Sequence, residues 1–233
     1  MINKLKSNEF RFAFITTIPV LLGYLAIGLA FGLLLSKAGY HWLLALIMSV
    51  VIYAGAGQYL AVGFFIVNAS FVEIAIVTFL VNSRHMVYGL SLLQKFSQAR
   101  FYKPYMIFSL TDETYALITT SNVPEDLDRV KVYFFIGLLD HFYWIMGGVI
   151  GAVLGSLINF NTKGLDFALT ALFVVLLIEQ FRNCKNKIPF VIAFVCGILS
   201  LVFIKSNMLI ISIVASIFIL ILFNKVLKDD ELN

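Results

Sequence analysis

The fold is decided by an uncharged apolar stretch, FAFITTIPVLLGYLAIGLAFGLLLS, at positions 12–36. A helix needs about 20 mainly apolar residues to cross a lipid bilayer. A secretory signal, in contrast, has an apolar region of roughly 7–15 residues that ends at a small-residue cleavage site. The stretch is too long for such a signal, so we predict a retained first transmembrane helix.

The composition of the whole chain agrees with this interpretation. Of its 233 residues, 61% are hydrophobic and only 13% are charged, with a net charge of +4. Soluble domains carry about 25% charged residues, and nucleic-acid-binding modules have a much denser basic surface. The composition therefore excludes a soluble enzyme, a disordered chain and a nucleic-acid partner, and it indicates a protein whose partner is the lipid bilayer.

Seven further apolar runs follow the first, and they are continuous rather than alternating, which favours helices over a β-barrel. The runs lie at 43–67, 70–93, 104–120, 132–158, 166–181, 188–204 and 208–223. We predict an all-α, polytopic helical membrane protein with seven or eight transmembrane spans. Residues 1–233 would form a single integral membrane domain.

A weak internal similarity suggests two related halves. The segment IGLAFG at 27–32 resembles IGAVLG at 150–155, an offset of 123 residues. Transporters often consist of two related halves with the substrate site between them, although apolar helices also share such matches by chance. Two interpretations therefore stay open: a repeat that relates 12–120 to 132–223, or a chance similarity between apolar helices.

Polar residues inside apolar runs are the candidates for function, because the bilayer excludes charges that lack a cavity or a partner. In the third run, Asn82, Arg84, His85 and Tyr88 lie within two helical turns. A guanidinium beside an imidazole could bind a carboxylate and exchange protons. The alternative is that Arg84 reaches an interface and His85 only packs between helices.

Two adjacent carboxylates, Asp112 and Glu113, interrupt the fourth run. They lie about 100° apart on a helix, so both cannot face lipid. One could pair with Arg84 while the other exchanges a proton, or the pair could be purely structural. Both interpretations stay open.

The second run contains Gly55, Gly57 and Gln58 within four residues. Glycines weaken a helix, and Gln58 could bond the freed backbone groups or a ligand, so we predict a broken second span. Close helix packing through small residues is the alternative. In the fifth run, Asp140 and Trp144 share a face, but a solvated position near the interface is favoured for Asp140.

Catalytic and cofactor motifs do not occur in the sequence: it has no HExxH, GxSxG, Walker A, GxGxxG or paired CxxC. No enzyme activity, cofactor or metal site is therefore expected.

Five motifs in order resemble the AzlC family, the large subunit of branched-chain amino acid exporters. They are the glycine-rich span with Pro19, AGAGQ at 54–58, Asn82-x-Arg84-His85 with Tyr88, LTDE at 110–113 and GLDFAL at 164–169. The resemblance implies a secondary transporter in a bacterial inner membrane and a small, separately encoded AzlD-type membrane partner.

Combining the resemblance with the polar clusters, we predict proton-coupled export of a branched-chain or similar hydrophobic amino acid. Its substrate-binding or ion-coupling residues would be Gly55, Gly57, Gln58, Asn82, Arg84, His85, Tyr88, Asp112 and Glu113. The first rival is a channel or scaffold subunit that transports nothing itself and whose polar residues only hold helices together. The second is an intramembrane enzyme built on Asp112, Glu113 and His85.

Overall fold

The computed structural model describes residues 2–67, 69–157, 174, 177–178, 181–182, 186–203 and 208–222. All regular elements in this part of the chain are helices. They are α1 (Ile2–Lys37), α2 (Trp42–Val51), α3 (Gly55–Val67), α4 (Phe71–Ser91), a 3₁₀ helix (Ser97–Tyr102), α5 (Lys103–Phe108), α6 (Asp112–Thr120), α7 (Arg129–Leu157), α8 (Ile188–Phe203) and α9 (Met208–Leu222). The all-α prediction is confirmed.

Two of these helices are long and apolar enough to cross a bilayer, at Asn8–Lys37 and Arg129–Leu157. The chain divides into two units, one of Met1–Ala69 with Thr78–Ala168 and one of Ser70–Val77 with Leu169–Asn233. In the second unit, α8 packs against α9. The predicted span at 166–181 falls almost entirely outside the described residues. The first unit contains every predicted site residue.

The first unit is built on a close contact between α1 and α7 that glycines make possible. A Cβ at Gly32 would overlap the carbonyl oxygen of Gly148, and one at Gly151 would overlap the carbonyl oxygen of Leu29. A Cβ at Gly28 would lie 3.0 Å from backbone atoms of Gly147 and Gly148 in α7. The segments that match at the offset of 123 residues therefore pack against each other. A duplication stays a prediction, because much of the second half lies outside the described residues.

Helices α1 and α7 run parallel. Phe10 contacts Phe135, with ring centroids 5.5 Å apart, and the Thr17 hydroxyl lies 3.2 Å from that of Tyr143. Further along, Gly32 meets Gly148. Residue numbers thus increase together in both helices, so both begin at the same end of the first unit.

Helices α2 and α3 double back on each other. The ring of Tyr40, just before α2, lies 5.1 Å from that of Phe65 near the end of α3. A continuous helix would hold these positions about 38 Å apart. The Gln58 amide also donates to the Ser49 hydroxyl across the two helices, at 3.2 Å. The pair is a helical hairpin, here called hairpin 1, with its tip at residues 52–54.

The prediction of a single span at 43–67 is wrong, although the predicted break within it is confirmed. Tyr53 at the tip has a φ of +42°, a conformation that is uncommon for a residue other than glycine. Helix α3 then begins directly at Gly55. The left-handed residue reverses the chain, so α3 turns back towards the start of α2 instead of continuing its direction.

Helices α5 and α6 form a second hairpin, hairpin 2, with its tip at residues 109–111. The rings of Tyr102 and Tyr105 contact Phe134 in the second turn of α7, at 4.7 and 5.5 Å. The ring of Phe108 at the end of α5 lies 5.6 Å from that of His141, two turns further along α7. Helix α6 then returns, and its residue Thr119 shares a cavity wall with Tyr133.

The prediction of a single span at 104–120 is therefore also wrong. Thr111 is the N-cap of α6, and its side chain accepts a hydrogen bond from the amide of Thr114. Asp112 and Glu113 occupy the first helical turn, where carboxylates are favourable to the helix dipole. A new helix starts there, and the chain changes direction.

The two hairpins enter the first unit from opposite ends. Hairpin 1 follows Lys37, where α1 ends, whereas hairpin 2 lies beside the first turns of α7. Since α1 and α7 are parallel, these are opposite ends. The tips meet in the middle, where the ring of Tyr53 lies 6.2 Å from that of Phe108 and 4.2 Å from that of His141.

Candidate functional site

One face of α7 holds both hairpin tips. Its residues are spaced three or four apart, as neighbours on a helix surface are: Gly137, Asp140, His141 and Trp144. A Cβ at Gly137 would overlap the Ser109 hydroxyl in the tip of hairpin 2. This face is the contact surface for both hairpins.

Trp144 and His141 bind hairpin 1. The Trp144 indole donates to the Gln58 side-chain oxygen at 2.7 Å, and Nε2 of His141 lies 3.1 Å from the carbonyl oxygen of Ser49. The other ring nitrogen of His141 lies 2.9 Å from the hydroxyl of Tyr105 in hairpin 2. His141 therefore bridges the two hairpins. Gln58, with 0% exposure, makes hydrogen bonds with both Ser49 and Trp144.

Asp140 is the most isolated charge-bearing group of the site. Its exposure is 0%, its Oδ2 accepts a hydrogen bond from the Thr114 hydroxyl at 2.7 Å, and its Oδ1 has no hydrogen-bond partner among the described residues. No lysine or arginine in that part of the chain lies within ion-pair distance of it. The expectation that Asp140 is solvated near an interface is therefore wrong.

A chain of hydroxyl groups connects Asp140 to Glu113, which is exposed. The Tyr24 hydroxyl donates to Oε2 of Glu113 at 2.8 Å and lies 2.6 Å from the Thr111 hydroxyl. The Thr111 and Thr114 hydroxyls are 3.0 Å apart. Five side chains from α1, α6 and α7 thus form one continuous series of hydrogen bonds.

A second group of polar residues lies between α4 and α6. Arg84 and Asp112 form an ion pair with an Nη1–Oδ2 distance of 2.5 Å, and the Tyr88 hydroxyl donates to the other Asp112 oxygen at 2.7 Å. The Tyr88 and Tyr115 rings stack at 4.5 Å. The ion pair is about 30% exposed, and Nε of Arg84 has no hydrogen-bond partner among the residues that the structure describes.

Asn82 and the start of α3 form a third group. A Cβ at Gly57 would lie 3.2 Å from the side-chain nitrogen of Asn82, and one at Gly55 would lie 3.1 Å from the Trp144 ring. The Asn82 side-chain nitrogen donates to the Thr78 carbonyl, but its side-chain oxygen is buried and has no partner within the described part of the chain. Both glycines therefore leave room for a neighbouring side chain.

Eight of the nine predicted site residues make the contacts described above. The ninth, His85, lies beside the second group: its ring centroid is 6.0 Å from that of Tyr88, and it interacts electrostatically with Arg84 and Asp112. Sequence reasoning did not select four residues that the structure adds to the site: Tyr24, Thr111, Thr114 and Asp140. A usable signal existed for Asp140, because a carboxylate twelve residues into a long apolar helix is far from both helix ends.

An open polar cavity of about 660 Å³ lies away from these groups, where α4 and α6 end and α7 begins. Lys95, Glu125 and Arg129 are among its lining residues. It contains none of the nine predicted residues.

Comparison with known proteins gives several matches. The family model for the AzlC protein matches residues 19–158. A branched-chain amino acid transport protein AzlC from Bacillus subtilis is 36% identical over 225 residues, which cover 96% of this chain and 89% of that protein. An uncharacterized membrane protein from Helicobacter pylori is 40% identical over 95% of this chain and 97% of its own length.

The inner membrane protein YgaZ from Escherichia coli is 30% identical over 73% of this chain and 72% of its own length. No solved structure matches the chain.

Proposed function

Because the chain belongs to the AzlC family and lies in the bacterial cell membrane, we propose that it is a secondary transporter. It exports branched-chain or similar hydrophobic amino acids and is coupled to protons. One observation carries this proposal beyond the family: two helical hairpins enter from opposite ends and meet at polar groups on α7. Interrupted helices that meet near the middle of the membrane are a recurring design of transporter binding sites.

We further propose that α1, α4 and α7 cross the bilayer, while hairpins 1 and 2 each enter and leave on one side. Helix α4 has 21 residues, which span about 31 Å, the thickness of a hydrocarbon core. Each hairpin would then close the site towards one side of the membrane. Alternating access would follow from movement of one hairpin at a time.

The substrate carboxylate would bind at the start of α3. The amides of Gly55, Ala56 and Gly57 have no acceptor within the described chain, and the first turn of α3 contains no acidic residue. Unpaired amides are costly inside a membrane, and a helix N-terminus favours an anion. Asn82 beside Gly57 would supply a further polar contact.

Arg84 would control access to this site. Its ion pair with Asp112 connects α4 to the first turn of α6 and hence to hairpin 2. A zwitterionic amino acid carries both charges of this pair, so it could compete for either partner and release the hairpin. The apolar substrate side chain would be poorly discriminated, because one methylene is worth only about 1–3 kcal/mol.

The AzlD-type partner implied by the resemblance is part of the proposal. A second small membrane subunit would be needed for full activity, and co-purification of the two chains from a membrane extract would test it. A chain that transports at the same rate without this subunit would remove the partner from the proposal.

The main experiment measures efflux of radiolabelled leucine, valine and methionine from loaded proteoliposomes, with and without the partner and a pH gradient. We expect gradient-dependent efflux, reduced at least tenfold by Arg84→Gln. Arg100→Gln is the matched control, because Arg100 is exposed in the 3₁₀ helix. Wild-type activity in Arg84→Gln would contradict the role of the ion pair.

The scaffold alternative makes a different prediction for the double variant Arg84→Gln with Asp112→Asn. If the pair only holds helices together, neutralising both charges should restore function, since no buried charge is left unpaired. If the pair responds to substrate, the double variant stays inactive. An altered chemical product without any gradient would instead support the enzyme alternative.

A further inference from the structure

We propose that Asp140 and Glu113 share one proton through the hydroxyl chain Tyr24–Thr111–Thr114, and that this chain is the proton path of the transporter. The inference rests on the proposed function and deepens it. It assigns proton transfer to one predicted site residue, Glu113, and to four residues that sequence reasoning did not select, Asp140 above all. Arg84 and Asp112 are left to bind the substrate.

The first argument is a count of protons. Four hydrogen bonds connect Glu113, Tyr24, Thr111, Thr114 and Asp140, with oxygen–oxygen distances of 2.8, 2.6, 3.0 and 2.7 Å. Each bond needs one hydrogen, but the three hydroxyls supply only three. The fourth must come from one of the terminal carboxyl groups. The complete chain therefore holds one carboxyl proton.

The second argument is the direction of the bonds. A hydroxyl both donates and accepts, so all four bonds can point one way or the other. With the proton on Asp140, each group donates towards Glu113. With the proton on Glu113, each donates towards Asp140. In the transfer the O–H bond of Asp140 breaks, each hydroxyl accepts one hydrogen and passes on its own, and an O–H bond forms on Glu113, so the three hydroxyls are regenerated and one proton has moved.

The third argument is the difference between the two ends. Asp140 is completely buried without a cation, so its ionised form is costly in the resting state. Glu113 is exposed and can exchange its proton with water. Chains of acidic residues that connect a buried group to the surface are known proton relays in membrane pumps.

The groups that face Asp140 carry no positive charge. Tyr24 on α1, Tyr53 in the tip of hairpin 1, Glu113 on α6 and Tyr143 on α7 interact with it electrostatically. Tyr53 is buried, and its hydroxyl interacts with the Thr114 side chain without forming a hydrogen bond of good geometry among the described residues. A protonated Asp140 would find an acceptor there if hairpin 1 moved. Proton occupancy and hairpin position would thereby be coupled.

Tyr24→Phe tests the chain most directly, since it removes one hydroxyl and retains the ring that packs on Trp144. Tyr59→Phe is the matched control, because the Tyr59 hydroxyl is also buried but donates only to the carbonyl oxygen of Ile27. Two assays in proteoliposomes are compared: net efflux driven by a pH gradient, and exchange of labelled for unlabelled leucine at equal pH.

We expect Tyr24→Phe and Asp140→Asn to lose gradient-driven efflux at least tenfold and to retain exchange within about threefold. Tyr59→Phe should keep both activities. Gradient-driven efflux with the wild-type pH dependence in Tyr24→Phe would overturn the proposal. Loss of exchange in a variant that elutes as a folded protein would also overturn it, because the residue would then serve the substrate or the fold.

The wild-type protein separates this inference from the proposed function. Exchange without any response to a pH gradient would refute proton coupling and leave transport intact. Absence of both activities would refute the proposed function itself. If Asp140→Asn does not fold, Tyr24→Phe decides alone, because it removes one hydroxyl and keeps the ring packed on Trp144.

Discussion

Replacing Gly32 by alanine should force α1 away from α7. A Cβ there would lie 2.8 Å from the carbonyl carbon of Gly151 and closer still to backbone atoms of Gly148 and Ala152. None of these atoms can rotate away, and ordinary contact begins at 3.4 Å. Even the longest of these three distances, 2.8 Å, must increase to 3.4 Å, so the helices must separate by at least 0.6 Å.

Gly23 in the same helix provides the control, since a Cβ at that position would meet nothing within 4 Å. Both substitutions gain up to about 1 kcal/mol of helix propensity, so their difference isolates the packing cost. Overpacking of a dense interior costs about 1–3 kcal/mol. We expect Gly32→Ala to be roughly 2–3 kcal/mol less stable than Gly23→Ala.

The assay is thermal unfolding of the purified variants in one detergent, followed by the fraction that remains monodisperse. For a chain of this length, 1 kcal/mol corresponds to about 2–4 °C in Tm, so the expected difference is about 4–12 °C. Equal Tm values for the two variants would refute the close contact of α1 with α7. A Tm of Gly23→Ala below that of the wild type would show that Gly23 is not a suitable control.

Two further predictions concern single contacts. Trp144→Phe should lower the free energy of unfolding by about 1–3 kcal/mol, because the buried Gln58 oxygen loses its donor. Trp42 is exposed, so Trp42→Phe should have little effect. Equal losses of stability for the two variants in thermal unfolding would contradict the role of the Trp144 hydrogen bond. Partial burial raises the pKa of Asp128, but the hydrogen bond from Lys131 outweighs it, so the pKa lies below its usual value. The resulting stability is complete above about pH 4 and is lost as the pH falls through that lowered pKa. The Tm should therefore fall more in the wild type than in Asp128→Asn between about pH 5 and about pH 3. The difference in the free energy of unfolding should stay below about 1 kcal/mol, because the pair is exposed. Parallel curves of Tm against pH for the two proteins would exclude this contribution of Asp128.

The helical class and the break in hairpin 1 could be predicted from the sequence because both depend on local properties. Continuous apolar runs determine the helices, and glycines at 55 and 57 weaken one of them. The break in hairpin 2 also has a local signal in the sequence. Thr111 followed by Asp112 and Glu113 is a typical helix start, and it cannot lie in the middle of a continuous span.

The folding back of both hairpins had no such signal. An apolar run of 25 residues has the same composition whether it crosses the bilayer or forms two short helices side by side. The difference depends on tertiary contacts, such as that of Tyr40 with Phe65. The burial of Asp140 likewise depends on Thr114, which is 26 residues away and reaches it only because α6 returns along α7.

The positions of the carboxylates suggest a division of labour in the proposed mechanism. Asp112 is partly exposed and paired with Arg84, so a substrate ammonium group could replace its cationic partner. Asp140 is buried without a cation, so its favourable state is the protonated one. Both carboxylates are connected to the first turn of α6: Asp112 is the first residue of this helix, and Asp140 accepts a hydrogen bond from Thr114 in its first turn. A movement of hairpin 2 must therefore disturb the ion pair and the proton chain together, which is the physical requirement for coupling substrate export to proton flow.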